Sequence, residues 1–406
     1  MESNNPQFGK NSVLALNYAN NGSLNPANIR EFKTKGAGAA FTNDKSVGTL
    51  AADQQITLSA DRRFLFAVNQ GSDTIAVFSV NQRTGKLTHV QGSPFDSGGK
   101  APISVGFNGK FLVVANHGVV APFVPGPGAN FGNPNHISFR VTSKGRLLRI
   151  STIPSGPGPT QSAIPFGGRT VFSTNFYAFD PPPGVGTIEA RTLSASGRLG
   201  VSPGSPTQFP ESMTAGLAPL PPFLPPGLTR LAFGIATHPS NPFLYILAPA
   251  ATRVAVYRYN SVGALSFVSQ EDHPGFAACW VVISRDGKYL YTANSATQDI
   301  SLFRVSPDGD TLDFVEVVKL PSTGTVGNLA LDPTGRFLYA LGAHDDPDGP
   351  RPQSIRPDGS IVHMPADGNF LEAYRIGGDG RLRSVSTTAL PVKLSQWPYG
   401  LAVLDK

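Results

Sequence analysis

The stretch SADRRFLFAVN, from Ser59 to Asn69, decides the fold, because it is a polar turn followed by an apolar strand that ends in asparagine. The pattern returns five times along the chain, as GFNGKFLVVAN from Gly106, PFGGRTVFSTN from Pro165, THPSNPFLYILA from Thr237, SRDGKYLYTAN from Ser284 and DPTGRFLYALG from Asp332. Copies that no insertion separates start 47 or 48 residues apart. A period of this length holds four strands of ordinary length with their turns, which is one blade of a β-propeller.

Each copy continues in the same way, with an alternating strand, a glycine turn and a final strand. After Asn69 the alternating strand is Ile75–Phe78, and the turn into the final strand is Thr84–Leu87. Gly85 supplies the positive φ that a tight hairpin turn needs. We number the six copies blades 2 to 7 in chain order.

A further blade, blade 1, is predicted to combine the two ends of the chain, residues 11–50 and 396–406. Val13–Asn17 matches the strand that ends in asparagine, Asn28–Phe32 matches the strand after it, and Tyr399–Leu404 supplies the missing inner strand. Completing the first blade with a C-terminal strand closes the ring and removes exposed sheet edges. The predicted fold class is therefore all-β, a single seven-bladed β-propeller that uses all 406 residues.

The bulk composition is typical of a globular chain with many tight turns. Hydrophobic residues make up 40% and charged residues 15%, while the 44 glycines and 37 prolines follow no collagen period. The net charge is +6, but the basic residues are spread singly through turns, so we predict no nucleic-acid partner. No apolar run approaches the ~20 residues of a membrane span, so we predict no membrane insertion. The single cysteine, Cys279, excludes an intramolecular disulfide.

The N-terminal sequence leaves the compartment open. Met1–Lys10 is polar and lacks the apolar core of a signal peptide. A glycosylation triplet at Asn21–Ser23 is weak evidence of secretion, because such triplets are common by chance. We expect a cytoplasmic protein, or a secreted one if a signal peptide has been removed.

The repeats resemble the lactonase family of seven-bladed β-propellers, which includes bacterial propeller-type phosphogluconolactonases and the fungal carboxymuconate cyclase. The resembling segments are Leu58–Val90, Ala277–Val305 and Leu329–Leu341, and ACWVV at Ala278–Val282 resembles one loosely characterised branch. The resemblance implies a small organic acid or lactone as the substrate. It is specific for the fold and only suggestive for the chemistry, because one propeller hosts many functions.

The sequence departs from the catalytic pattern of the enzymes it resembles. Where they have a His-Ala-His stretch entering blade 4, this chain has PTQSA at Pro159–Ala163. Their glutamate in blade 5 falls near Ala248–Ala250, and their arginine after the blade 6 asparagine is replaced by Ser295. Lactone chemistry here would therefore need a different set of groups.

Asparagines at the ends of the second strands should converge on one face of a propeller, around the channel. They are Asn17, Asn69, Asn116, Asn175 and Asn294. Each could cap its own loop through side-chain to backbone hydrogen bonds. Alternatively, Asn69, Asn116, Asn175 and Asn294 could also bind a ligand.

Other polar and aromatic residues are placed on the same face. His117 and His136 stand at the two ends of one loop and could supply a general base and its partner, or could simply pack the loop. Arg253 begins the third strand of blade 5 and could hold a carboxylate. Further ligand-binding candidates are Tyr177, Trp280, which could stack on a ligand or wedge the core, and His344.

Four long insertions are also predicted to reach this face, at residues 118–135, 179–186, 207–229 and 343–368. The third contains PLPPFLPP, from Pro219 to Pro226. Long loops in compact domains are often lids or binding loops, and the alternative is that they pack on the rim.

Two functions are compatible with these patterns. The first is a metal-independent lactone hydrolase or cycloisomerase that uses His117 or His136 as a base and Arg253 to hold an oxyanion, with no cofactor. The second is a non-catalytic propeller that binds a ligand, or a protein partner through residues 207–229. No zinc spacing, phosphate loop or dinucleotide fingerprint is present, and the acidic run His344–Gly349 lacks the ligand series of a calcium loop, so we predict no metal site.

Overall fold

The fold is seen in a computed structural model. It describes residues 1–39, 54–119, 130–165, 167–178, 185–217, 229–321, 325–343, 353–355, 361–363, 369–391 and 398–404. Within these ranges the regular structure is almost all β, with short 3₁₀ turns at Gln70–Ser72 and Glu211–Thr214. None of the helices in the described ranges is long and apolar enough to cross a membrane.

The strands form sheets that correspond to the six sequence repeats, together with one terminal sheet. Each ladder is antiparallel, and successive strands run from the channel outward. The terminal sheet is β1 (Ser12–Tyr18) and β2 (Leu24–Lys33). Blade 2 is β3 (Ile56–Leu58), β4 (Phe64–Asn69), β5 (Thr74–Val80), β6 (Leu87–His89) and β7 (Phe95–Asp96). Blade 3 is β8 (Pro102–Phe107), β9 (Phe111–Asn116), β10 (Asn135–Val141) and β11 (Leu147–Pro154). Blade 4 is β12 (Thr170–Asn175), β13 (Thr187–Leu193), β14 (Leu199–Val201) and β15 (Thr207–Gln208).

Blade 5 is β16 (Ile235–Thr237), β17 (Phe243–Ala248), β18 (Arg253–Tyr259) and β19 (Leu265–Asp272). Blade 6 is β20 (Ala278–Ile283), β21 (Tyr289–Asn294), β22 (Asp299–Val305) and β23 (Leu312–Lys319). Blade 7 is β24 (Thr325–Leu331), β25 (Phe337–Ala343), β28 (Asn369–Ile376) and β29 (Leu382–Leu390). A hairpin of β26 (Gln353–Ile355) and β27 (Ile361–His363) is inserted between β25 and β28.

The hydrophobic core lies between neighbouring blades. The second strands β4, β9, β12 and β17 are buried along their whole length. Burial of both faces explains why β4, β9 and β17 are nearly continuous apolar runs rather than alternating sequences. Between blades 2 and 3, for example, Phe66 and Val68 pack in one cluster with Val105, Leu112 and Val114. The blades therefore bury their faces against one another. The structure confirms the propeller class that the sequence repeat predicted.

The terminal sheet has a different strand order from the one we predicted. The Asn11 side chain donates a hydrogen bond to Asn69 Oδ1 at 2.9 Å, so the start of β1 lies at the face where the second strands end. β1 thus runs in the direction of a third strand, and Asn17 lies at the opposite end, beside the β1–β2 turn. The prediction that Val13–Asn17 is a second strand was wrong, because an apolar strand ending in asparagine does not encode its direction in the ring.

Residues near both chain ends complete the inner side of this sheet. Glu2 forms antiparallel bridges with Val13 on one side and with Tyr399 on the other. Beyond Tyr399, residues 401–404 run along β1 without forming a ladder, and a cavity of about 130 Å³ separates the two segments. Apolar side chains line this cavity, among them Leu14, Leu16, Leu401 and Val403.

Side chains hold the C-terminal segment against the ring more than strand pairing does. The Gly400 amide donates to Asn328 Oδ1 at 2.7 Å, and the Tyr399 hydroxyl donates to Gln70 Oε1 at 3.3 Å. Asn328 in turn donates to Gln55 Oε1 at 3.2 Å. These contacts link the C-terminal segment to blades 7 and 2, on both sides of the terminal sheet.

Part of one predicted insertion packs into the core. Phe209 and Met213 have no exposed side-chain surface and join the cluster between blades 4 and 5, so residues 207–217 are integral to the ring. Several predicted features lie outside the described residues. They are residues 40–50, 120–129, 179–184, the proline-rich 218–228, 344–352 with His344, 356–360, 364–368, 396–397 and 405–406.

Candidate functional site

The strand-end asparagines each bond to the residue that opens, or nearly opens, the third strand of their own blade. The amide nitrogen donates in every case over 2.7–3.0 Å. The pairs are Asn69 with Thr74 Oγ1, Asn116 with Asn135 Oδ1, Asn175 with Thr187 Oγ1 and Asn294 with Asp299 Oδ1. This geometry supports the loop-capping interpretation of the four asparagines.

A glycine from the preceding loop covers each of these asparagines. A Cβ atom at any of the four glycines would approach the asparagine side chain to between 2.0 and 2.6 Å, which a side chain cannot do. The pairs are Gly36 with Asn69, Gly99 with Asn116, Gly156 with Asn175 and Gly275 with Asn294. The asparagines are therefore sealed beneath backbone, a feature that sequence reasoning missed because each glycine belongs to the loop before the blade.

A row of aromatic rings crosses this face from blade 3 to blade 6. It runs through His117, Tyr177, Phe176, Phe233 and Trp280, and we call it the aromatic row. Successive ring centroids are 5.4, 5.0, 5.4 and 6.2 Å apart, and each pair meets edge to face. Such pairs contribute about 0.5–1.5 kcal/mol each beyond the area they bury. The structure thus brings together three predicted site residues, His117, Tyr177 and Trp280, through two phenylalanines that the sequence analysis did not select.

The rim of the aromatic row is apolar and half-buried. Phe131 stacks on Tyr177 with ring centroids 4.8 Å apart, and Val119 and Cys279 pack against the same cluster. The row itself is deeply buried, since Tyr177 has no exposed surface and Phe176 only 2%. The half-buried rim is the part of the cluster that a ligand could touch.

His117 is the polar group in this apolar setting. Its Nδ1 lies 2.9 Å from the Val119 carbonyl oxygen, which fixes the proton on Nδ1. Its Nε2 is buried and has no hydrogen-bond partner among the described residues. Burial lowers the pKa of His117 to about 4, and the Val119 carbonyl opposes this only partly. At neutral pH, His117 is therefore an uncharged imidazole with a free acceptor nitrogen.

His136 lies in a different environment, between blades 3 and 4. It is buried with its Nδ1 3.9 Å from Glu189 Oε2, and its Nε2 is 3.3 Å from the Gln161 carbonyl oxygen. Glu189 also accepts from Arg191 at 2.9 Å and from the Ser155 hydroxyl at 2.7 Å. Burial lowers the pKa of His136, while Glu189 raises it and Arg191 lowers it further. These contacts make His136 a member of an ion-pair cluster that joins two blades.

Arg253 is fully engaged by neighbouring protein groups. It donates to Asp272 Oδ1 at 2.6 Å and to the carbonyl oxygens of Ser212 and Ala215 at 3.2 and 2.9 Å. Its guanidinium therefore anchors the turn at Glu211–Thr214 to blade 5. This arrangement gives Arg253 a structural task and leaves it separate from the aromatic row.

The central channel contains a cavity of about 400 Å³ lined by the inner strands. Most of its wall is apolar, and the amides of Gln54, Gln161 and Asn328 contribute polar groups. The Gln161 side chain donates to the Ile235 carbonyl at 3.0 Å and accepts from the Ile235 amide at 2.9 Å. This residue stands in the segment that replaces the expected histidines, and here it joins the inner edges of blades 4 and 5.

No group of three or more metal-ligating side chains occurs in the described part of the chain.

Acidification should reveal the buried neutral histidines. Burial lowers the pKa of both His117 and His273 to about 4, against 6.5 when exposed. As pH falls from 7 to 5, each histidine therefore takes up a proton in the unfolded chain but not in the folded one. The free energy of unfolding should fall by about 2 kcal/mol for each histidine. Denaturant unfolding of His117→Asn and of His273→Gln at both pH values should each show that much less pH dependence than wild type.

A further measurement at pH 8 provides the control for this comparison, because both histidines are neutral at that pH in the folded and in the unfolded chain. Burial raises the pKa of Glu2 well above its usual range, so Glu2 contributes with the opposite sign over the same interval. Comparing variants with wild type cancels this contribution. Equal pH dependence in all three proteins would contradict the assignment.

Radial, mostly four-stranded sheets around a channel with a largely apolar wall define a β-propeller. The family model described as "Lactonase, 7-bladed beta-propeller" matches residues 10–120 and 234–347, more than half of the chain. The chain belongs to this lactonase propeller family.

The curated and structural comparisons agree with the family. A 6-phosphogluconolactonase from Enterobacter sp. (strain 638) is 30% identical over 97 residues, which is 24% of this chain and 28% of that protein's length. A structure from Bacteroides fragilis superposes with a TM-score of 0.59 and 16% identity, over 93% of this chain and 95% of that one. The periplasmic gluconolactonase of Pseudomonas aeruginosa gives a TM-score of 0.52 and 18% identity, over 80% and 95% of the two chains. At these identities the structural likeness shows the fold alone.

Proposed function

We propose that this protein hydrolyses a lactone at the aromatic row, with His117 as the general base. The observation that carries the proposal is the buried Nε2 atom of His117, which is neutral at pH 7 and has no partner among the described residues. Family membership and the partial match to a 6-phosphogluconolactonase support lactone chemistry. The geometry favours His117 over the other two catalytic candidates. The His136 ring faces the Glu189–Arg191 ion pair, with its Nδ1 3.9 Å from Glu189, and the Arg253 guanidinium is taken up by Asp272 and two carbonyls.

The proposed reaction consumes one water molecule and yields one hydroxy acid. His117 Nε2 takes a proton from the water as its oxygen forms a bond to the lactone carbonyl carbon. The ring C–O bond then breaks, and His117 returns the proton to the leaving oxygen. The Val119 carbonyl keeps the Nδ1 proton in place throughout, so that Nε2 remains the acceptor.

Replacing His117 with asparagine should lower kcat by about 10²–10⁴-fold, the usual contribution of a positioned general base. The amide of the introduced asparagine can still donate to the Val119 carbonyl, so the fold is kept while the Nε2 acceptor is lost. In wild type, kcat/KM should be constant above about pH 6 and fall as pH drops through about 4, where the imidazole takes up a proton. Initial rates on a panel of sugar and aryl lactones measure both effects.

His89→Gln provides the matched control, because His89 lies on the outer strand β6 and bonds to Lys33 and Ser93. It should retain wild-type turnover. Unchanged turnover in His117→Asn would remove His117 from the mechanism.

A second function, non-catalytic ligand or protein binding, is favoured by one observation. Several positions where a catalytic or ligand-binding group was expected make structural contacts instead. They are Gln161, Arg253 and the four strand-end asparagines. Residues 207–229 remain the proposed protein contact. Deleting residues 218–228, beyond the packed turn, and testing turnover and partner capture separately would distinguish the two functions.

We also propose that the ring has seven blades, within one domain. The terminal sheet would be the first blade, with β1 and β2 as its outer strands, Met1–Ser3 in the second position and residues 398–404 innermost. The bridges from Glu2 to Val13 and to Tyr399 support this arrangement, as does the seven-bladed family description.

A further inference from the structure

We infer that the lactone bound at the aromatic row is unphosphorylated and presents an aromatic or otherwise apolar ring face. The inference rests on the proposed function and names its substrate class. It departs from the phosphorylated sugar lactone that the name of the Enterobacter relative indicates.

The described surface around His117 is largely apolar. The neighbours of its ring are Tyr177, at 5.4 Å between centroids, and the backbone of Gly158. Phe131 and Val119 form the half-buried rim above them. An aromatic ring of a ligand can stack or pack edge-on against these groups, whereas a polyhydroxylated sugar would leave its hydroxyl groups without partners there.

The described contacts of His117 are with uncharged groups. They are the Val119 and Ala101 carbonyls, the Tyr177 ring and Gly158. Burial lowers the pKa of His117, and no ionised side chain among the described residues contributes to the shift. A phosphate dianion placed against such a surface would be desolvated without a cation to pair with it.

Lysines do occur at this face of the ring, but they are engaged elsewhere. Lys100 pairs with Asp73 at 2.7 Å, and Lys319 pairs with Asp299 at 2.7 Å. Both lysine side chains are highly exposed, at 75% and 71%. They form solvated surface pairs, which are weak. The Lys100 carbonyl accepts from the Gly118 amide at 3.0 Å, next to His117, while its ammonium group pairs with Asp73.

Most of the aromatic residues lie outside the family match. His117 lies inside the range matched by the family model, which ends at residue 120 and resumes at residue 234. Phe131, Phe176, Tyr177 and Phe233 all lie in the unmatched interval. The base would thus lie on the matched scaffold, while Phe131, the aromatic residue of the rim, lies outside it.

Steady-state kinetics on three lactones test the inference: dihydrocoumarin, glucono-1,5-lactone and 6-phosphoglucono-1,5-lactone. We expect kcat/KM for dihydrocoumarin to exceed that for the phosphorylated lactone by at least about 100-fold, because no described contact of His117 offers a cation to pair with the phosphate. Phe131→Ala should raise KM for dihydrocoumarin by about 2- to 12-fold, the range of one lost aromatic contact, with kcat unchanged. Phe8→Ala, which removes an aromatic ring that is 76% exposed, is the matched control and should change neither constant.

The outcomes separate this inference from the proposed function. Equal or faster hydrolysis of the phosphorylated lactone would overturn the inference and leave lactone hydrolysis in place. If no lactone is hydrolysed, the proposed function fails, and calorimetric titration decides the recognition. Dihydrocoumarin that binds wild type and is weakened by Phe131→Ala, beside 6-phosphogluconate that does not bind, supports the apolar site; no binding of dihydrocoumarin overturns it.

Discussion

Ending the chain after Trp397 should abolish cooperative unfolding of the ring, the largest effect that we expect from any change. The segment 398–404 carries Tyr399, which is 2% exposed, and supplies Leu401 and Val403 to the cluster beneath the terminal sheet. Its loss would expose this cluster and the inner edge of the terminal sheet together. Differential scanning calorimetry should show a broad transition of low enthalpy in place of a sharp one.

A graded series makes the truncation interpretable. Tyr399→Ala should destabilise the protein by about 3–5 kcal/mol through the cavity it leaves, and Tyr399→Phe by about 1 kcal/mol through the lost bond to Gln70. Asn328→Ala should cost more than Tyr399→Phe, because it removes both the acceptor of the Gly400 amide and the donor to Gln55 Oε1. Removing only residues 405–406 is the control and should leave the transition sharp. A truncated chain with the wild-type melting profile would show that the ring closes without this segment.

Replacing Glu189 with alanine should destabilise the fold by about 3–5 kcal/mol, the second large effect. The Glu189 carboxylate is 3% exposed and accepts from Arg191, the Ser155 hydroxyl and the Gly156 amide. Its removal leaves the Arg191 guanidinium buried, at 5% exposure, without a counter-charge. Urea unfolding at pH 7 measures the loss.

The double variant Glu189→Leu with Arg191→Met gives the decisive comparison. It removes both charges and fills their volume, so most of the lost stability should return. A double variant as unstable as Glu189→Ala would mean that the hydrogen bonds to Ser155 and Gly156, rather than the buried charge, account for the effect.

The buried ion pair could have been read from the repeats. Third strands align position by position, and Glu189 and Arg191 stand where blade 2 has Ala76 and Phe78. Charged residues at positions that are otherwise buried require partners, so the alignment contains a signal for an unusual contact there that the sequence analysis did not use. It could not predict the partners, because Ser155 and His136 come from the neighbouring blade.

The candidate site shows a similar division. Sequence placement selected His117, Tyr177 and Trp280 for one face, and the structure joins them in the aromatic row. Phe176 directly follows the strand-end Asn175 and precedes Tyr177, so its position in the sequence could have placed it on the same face. No comparable feature marks Phe233. The same reasoning placed Arg253 on that face, where its guanidinium is taken up by the carbonyls of Ser212 and Ala215.

The sequence by itself determined the propeller, because a 47- or 48-residue period and a fixed order of turns and apolar strands are local properties that recur in each repeat. It also predicted that the C-terminal segment meets the N-terminal residues, and Tyr399 forms a bridge with Glu2. Tertiary structure alone decided the direction of β1, the glycine cover over the asparagines and the neutral state of His117. Each of these depends on contacts between blades, and such contacts join residues whose sequence separation carries no periodic signal.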